Sequence, residues 1–152
     1  ATHGVLAGQV AGIGEPGLIL TPPANETPGD TGYLSASDIT GLKLDADWVI
    51  LSACNTAAGG AEGGEALSGL ARAFFYAQAR ALLVSHWSVY EEAAVELVGD
   101  ATRASVVAGG GAGRSQALRQ AMLKLIASPR DRAVHPSYWA PFVLVGEGGA
   151  ER

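Results

Sequence analysis

Two short apolar runs constrain this chain more than anything else in it. DWVILSAC at residues 47–54 and RALLVSH at residues 80–86 each hold four consecutive apolar side chains ending in small or polar residues. Runs of this length, too short for a core helix and apolar on both faces, predict buried strands of a sheet covered on both sides. WAPFVLVG at residues 139–146 is a third candidate, with Pro141 marking a break near its start or an edge position. GLILT at residues 17–21 is a shorter fourth. Helical patterns separate them. Leu67, Leu70, Ala71, Phe74 and Phe75 share one helix face, as do Leu118, Ala121, Met122, Leu125 and Ile126. Residues 91–107 carry the stripe Ala94, Val95, Val98 and Ala101, with Glu91 and Glu92 in the first turn, where the helix dipole favours acids. Ser35 and Asp38 form a capping-box pattern before Gly41, and Gly109, Gly110 and Gly111 break two helices apart. The alternation predicts an α/β fold with a mainly parallel sheet and helices on its faces.

Size and charge narrow the class. The 152 residues suffice for one domain with its own core, read here as residues 1–152. Charged residues are only 16% and hydrophobic ones 48%, the opposite of a disordered composition. A net charge of −5 argues against nucleic acid and anionic membrane as partners. No apolar run reaches the ~20 residues of a membrane helix. The N-terminus lacks the basic and apolar regions of a secretory signal, and a single cysteine makes no internal disulfide, so a cytoplasmic location is expected.

Open α/β sheets bind ligands beyond the carboxyl ends of their strands. Cys54 and His86 fall at such ends, and His3 is a candidate for another. A thiol there serves as a nucleophile if a base and oxyanion donors stand within reach. His3 is a candidate base, and the backbone N–H of Gly4 is open to close approach by a carbonyl. A cysteine at a strand end also serves as a small buried hydrophobe, and the residues alone leave both readings open. His135 before Pro136 reads as a turn-shaping residue, Trp139 and Phe142 as core, and His86 as a pocket-lining or partly buried residue or an alternative base. The glycine-rich stretch at residues 59–64 lacks the Lys-Ser/Thr of a phosphate loop. No cluster has metal-ligand spacing, so neither metal nor other cofactor is expected. No G-x-S-x-G supports a serine hydrolase.

Six ordered segments resemble the CHAT domain, a caspase-like family often joined to TPR repeats in bacteria, with separase a more distant relative. They are ATHG at 1–4, GLIL at 17–20, LSACNTA at 51–57, a long segment at 64–89 containing ALLVSHWSV, QALRQAML at 116–123 and HPSYWAPFVLVG at 135–146. The resemblance implies a caspase-like three-layer α/β/α sandwich and a cysteine endopeptidase. Its implied dyad is His3 and Cys54, with the backbone N–H groups of Gly4 and Cys54 holding the oxyanion. His86, Trp87 and Glu91 are implied substrate-binding residues. The segment Trp87-Ser88-Val89-Tyr90-Glu91 resembles the family's Trp-x-Val-x-Asp, whose acid is implied in separase-like relatives to receive a basic P1 residue. Here Glu91 replaces that Asp, and Tyr90 stands where an acid is common. The alternative within the family is a non-catalytic interaction module in signalling or defence. Caspase-like sheets begin with strands ahead of the histidine motif, so the resemblance implies a partial CHAT domain with its N-terminal strands missing. The expected partners are a peptide or protein substrate and, for the open sheet edge, an N-terminal region, a TPR partner or a second copy.

Overall fold

In the computed structural model the described residues are 3–22, 31–51, 65–107, 113–128 and 134–149. The elements run β1 (His3–Val5), β2 (Gly17–Ile19), β3 (Tyr33–Ser35), α1 (Ala36–Thr40), β4 (Val49–Ile50), α2 (Glu65–Tyr76), β5 (Ala81–Ser85), α3 (Glu91–Val107), α4 (Arg114–Ile126), a 3₁₀ turn (Pro136–Tyr138) and β6 (Phe142–Gly146). The fold is therefore α/β.

The strands form two sheets, β1-β2-β3 and β4-β5-β6. The first is wholly antiparallel, with Leu18 of β2 opposite both Gly4 and Leu34. In the second, β4 runs parallel to β5 and β6 runs antiparallel to it. A mainly parallel sheet was expected, and among the described residues only β4 and β5 are a parallel pair. The cause lies in the connections. A single crossover helix returns the chain to the start of the next strand, giving a parallel neighbour. Two helices, α3 and α4, separate β5 from β6. They are tied across by Lys124 Nζ to Asp100 Oδ2 at 2.8 Å. The second helix carries the chain back to the carboxyl end of β5, so β6 descends against it.

Period-two alternation along β5 sorts its side chains to opposite faces. Leu82 and Val84 join Leu51 of the segment after β4, Ile39 of α1 and Leu70, Ala73 and Phe74 of α2. Leu83 joins Ala93, Leu97 and Ala101 of α3, Leu118, Ala121 and Leu125 of α4, and Phe142 of β6. Helices thus cover both faces of the second sheet, which is why all five residues of β5 are buried. The first sheet contributes Leu18 to the α1–α2 side.

Two polar devices hold this arrangement. Ser35 caps α1: its Oγ accepts from the Asp38 N–H at 3.0 Å, and Asp38 Oδ2 accepts from the Ser35 N–H at 3.1 Å. That hydrogen bonding holds the Asp38 carboxyl below its ordinary pKa. Its contribution is therefore complete above the carboxylate range and is lost as pH falls through it. Ser35→Ala is expected to lower stability by about 1 kcal/mol, read from denaturant unfolding, since it removes the Oγ that accepts from the Asp38 N–H while the Ser35 N–H bond to Asp38 remains. At the amino ends of β4 and β5, Arg80 bridges Asp47 at 3.1 Å and Glu147 at 3.2 Å, and the buried Arg114 of α4 lies 3.4 Å from Asp47. This network joins both ends of the β5–β6 excursion on the side opposite the candidate site.

Candidate functional site

The site is built at the carboxyl end of β4 and β5. The Leu51 N–H donates to the Leu83 carbonyl at 2.8 Å, continuing the parallel register of β4 one residue beyond its end. The chain then enters residues 52–64, so Cys54 and the loop expected to carry it lie outside the described residues. Leu51 nevertheless fixes the edge of the sheet from which that loop departs.

His86 directly follows β5, as its sequence position predicted. Its N–H donates to the Pro141 carbonyl at 2.9 Å, and its ring stacks on Trp87 with centroids 6.3 Å apart. The histidine side is exposed rather than partly buried, and Trp87 is 44% exposed. Val89 turns inward against the α3–α4 cluster. Tyr90 is 54% exposed and stacks on Tyr138 at 4.4 Å with the planes 12° apart. Glu91 opens α3 and is exposed, with Glu92 beside it in the first turn. The structure thus brings His86, Trp87 and Glu91 onto one short segment, residues 86–91, at the strand ends. That segment ends on one acid, Glu91, with Glu92 next to it, and holds no Lys or Arg, so it presents aromatic faces and negative charge, a surface suited to a cationic side chain.

His3 lies on the first sheet. It is exposed and is the first residue of β1, opposite Ile19 on β2, with Gly4 next, half-buried and opposite Leu18. Its expected place at the end of a strand is corrected: among the described residues β1 runs onward from His3. Three-residue antiparallel strands carry too little periodicity to show which end a residue occupies.

His135 caps the 3₁₀ turn, as a turn-shaping residue should. Its Nδ1 accepts from the Ser137 N–H at 3.2 Å and lies 2.8 Å from Ser137 Oγ. Phe142 is buried and Trp139 packs half-buried against the same cluster. Tyr138 had no signal in the sequence as a neighbour of Tyr90, because the ring pair joins two segments distant along the chain.

Away from this end, a groove of about 290 Å³ between α3 and α4 is lined by Asp100, Arg103, Ala104, Gln120, Ala121 and Lys124. Its acid is already engaged by both bases, with Arg103 at 2.7 Å and Lys124 at 2.8 Å. Among the described residues no group of three His, Cys, Asp or Glu side chains gathers at metal-binding spacing, and no helix is long and apolar enough to cross a membrane.

A helix-covered sheet with its exposed aromatic and acidic side chains at the strand ends is an α/β protein of the kind that keeps its site on that edge. The chain belongs to the CHAT domain family, whose model matches residues 1–147. That family is caspase-like and related to peptidases. No curated protein matches the sequence.

Proposed function

We propose that this CHAT domain is a cysteine endopeptidase with a caspase-like α/β/α sandwich, acting through His3 and Cys54. One observation carries the reading: Leu51, three residues before Cys54 and one beyond β4, extends the β4 register at the same sheet edge as the His86–Glu91 segment. In this reading Cys54 acts on a peptide whose side chain is received by that surface.

The chemistry follows from the residue types. The Cys54 thiolate attacks the scissile carbonyl carbon, and its oxygen becomes an oxyanion held by the N–H groups of Gly4 and Cys54. The C–N bond then breaks, and the leaving amine takes a proton from the His3 imidazolium. A water molecule hydrolyses the resulting thioester, releasing the acid and returning the thiol. Glu91 receives a basic P1 side chain, for which a guanidinium offers a planar fork to the carboxylate. Trp87 and His86 border that side chain. The substrate is a protein or peptide, and no cofactor takes part. A cytoplasmic setting keeps the single thiol reduced. Among the described residues β4 pairs only with β5. The proposed partner at a sheet edge is an N-terminal region, a TPR partner or a second copy.

Alkylation separates an enzyme from an interaction module without knowledge of the substrate. Cys54 in the native protein is expected to react with iodoacetamide about tenfold faster than in the unfolded chain, because a neighbouring imidazolium raises the thiolate fraction. His3→Ala should remove the acceleration. Native labelling no faster than unfolded labelling would instead support the non-catalytic module.

A further inference from the structure

The segment proposed to bind substrate has few attachments of its own. Residues 86, 87, 88, 90 and 91 are exposed. At one end, the His86 N–H donates to the Pro141 carbonyl at 2.9 Å. At the other, the Tyr90 carbonyl accepts from Ala94 at 2.9 Å as α3 begins, and the Tyr90 ring lies on Tyr138. Two of these ties, the His86 hydrogen bond and the ring stack, run to the same stretch of chain, residues 138–141. That stretch is firmly built. His135 caps it, the Tyr138 N–H donates to the His135 carbonyl at 3.0 Å, and the Ala140 N–H donates to that of Pro136 at 2.8 Å. Pro141 is fully buried, and Tyr138 and Trp139 pack against the α3–α4 cluster.

A rigid 3₁₀ turn therefore grips an exposed loop at two points. A hydrogen bond between main chains works for any sequence. The second grip depends on two particular side chains, and Tyr90 exposes more than half its surface without losing its place. A nearly parallel pair at 4.4 Å is an offset-stacking geometry, attractive beyond the area it buries. Glu91 is the very next residue, so the main chain held by the Tyr90 ring also places the Glu91 Cα.

We propose that Tyr138 is a positioning residue for substrate recognition, holding the Trp87–Glu91 segment in its binding geometry through the ring stack on Tyr90. The proposal rests on the peptidase reading above, because it assigns the segment a substrate to receive. Tyr138 itself touches no reacting atom in this scheme. Loss of the stack should loosen recognition while leaving the thiol chemistry intact.

The test compares Tyr138→Ala with Tyr138→Phe in the full chain, by two readouts. One is amide exchange at His86 and Ala94, the hydrogen-bonded ends of the loop. The other is cleavage of peptides with Arg at P1. In Tyr138→Ala, exchange at both amides should quicken about threefold to tenfold, and KM should rise by a similar factor with kcat within about twofold. Tyr138→Phe keeps the ring and should restore both. Faster exchange with KM unchanged would overturn the positioning role, showing a merely structural contact. Unchanged exchange would overturn the clamp itself, even with the wild-type chain active. A kcat loss in the alanine variant that the phenylalanine variant does not restore would also overturn it. A wild-type chain that cleaves no peptide would sink the peptidase reading, and the proposed role with it, whatever the exchange rates.

Discussion

Cys54→Ala is expected to lower peptide cleavage by a factor on the order of 10⁵–10⁶, leaving only what binding and the oxyanion donors supply. No other single change should cost as much. The proposed reaction forms one covalent bond between protein and substrate, at the Cys54 sulfur, and alanine has nothing to offer in its place. His3→Ala should cost less, about 10²–10⁴-fold, since water or buffer partly replaces a general acid whereas nothing replaces the nucleophile. The two losses should not multiply in the double variant, because both residues serve the same step. Steady-state cleavage measured beside thermal unfolding gives the decisive comparison. A small buried cysteine would show the reverse pattern, with stability lowered by about 1 kcal/mol and cleavage, if any, kept. Full cleavage in Cys54→Ala would remove this residue from the chemistry and move attention to His86, which directly follows β5.

What the sequence revealed and what it hid follow a physical division. α2 and α4 were legible because each buries a continuous stripe. α3 occupies the expected residues, Glu91–Val107, but it buries Ala93, Leu97 and Ala101, and Val95 of the expected stripe is 70% exposed. α1 starts at the expected capping box. β5 was legible because a strand buried on both faces shows an unbroken apolar run, here Ala81 to Val84. Pro141 was read as a break at a strand start, and β6 begins at the next residue. The direction of β6 was not legible. Side-chain alternation is the same in parallel and antiparallel strands, and direction is set by how many helices intervene. β1 and β3 were missed because three residues show no period, and what stabilises them is their pairing with β2. The proposed substrate-binding residues rest on the family resemblance. Exposed His86, Trp87 and Glu91 leave no trace in a hydrophobic pattern, since solvent imposes none. The Tyr90–Tyr138 stack is hidden for a related reason: a contact between two segments depends on the whole fold, and no local spacing encodes it.

A large stability loss from a single methyl group is expected at Gly146, the last residue of β6. Its φ is +98°, a backbone conformation that side chains rarely adopt. An added Cβ would lie 2.6 Å from the Arg80 carbonyl oxygen, 3.0 Å from Phe75 Cε1 and 3.2 Å from Ala81 Cα. The first contact is the decisive one. A backbone oxygen cannot swing aside as a flexible side chain can, and this one also accepts the Glu147 N–H at 2.9 Å. Moving it would disturb the start of β5, where Ala81 stands opposite Gly146, and the Arg80 bridges to Asp47 and Glu147 beside it. Backbone strain of about 1–3 kcal/mol and overpacking of about 1–3 kcal/mol together make Gly146→Ala cost about 3 kcal/mol or more. For a chain of this size that lowers Tm by roughly 6–12 °C. Gly99 supplies the control. It lies inside α3 with nothing within 4 Å of the added carbon. Gly99→Ala should therefore stabilise by up to about 1 kcal/mol, because alanine loses less backbone freedom in a helix. The same chemical change thus takes opposite signs at two positions, and thermal unfolding of the two variants reads the difference directly. A Gly146→Ala protein as stable as the parent would mean that β6 ends without the left-handed turn, and that Arg80 is not held by the close approach of the two chains.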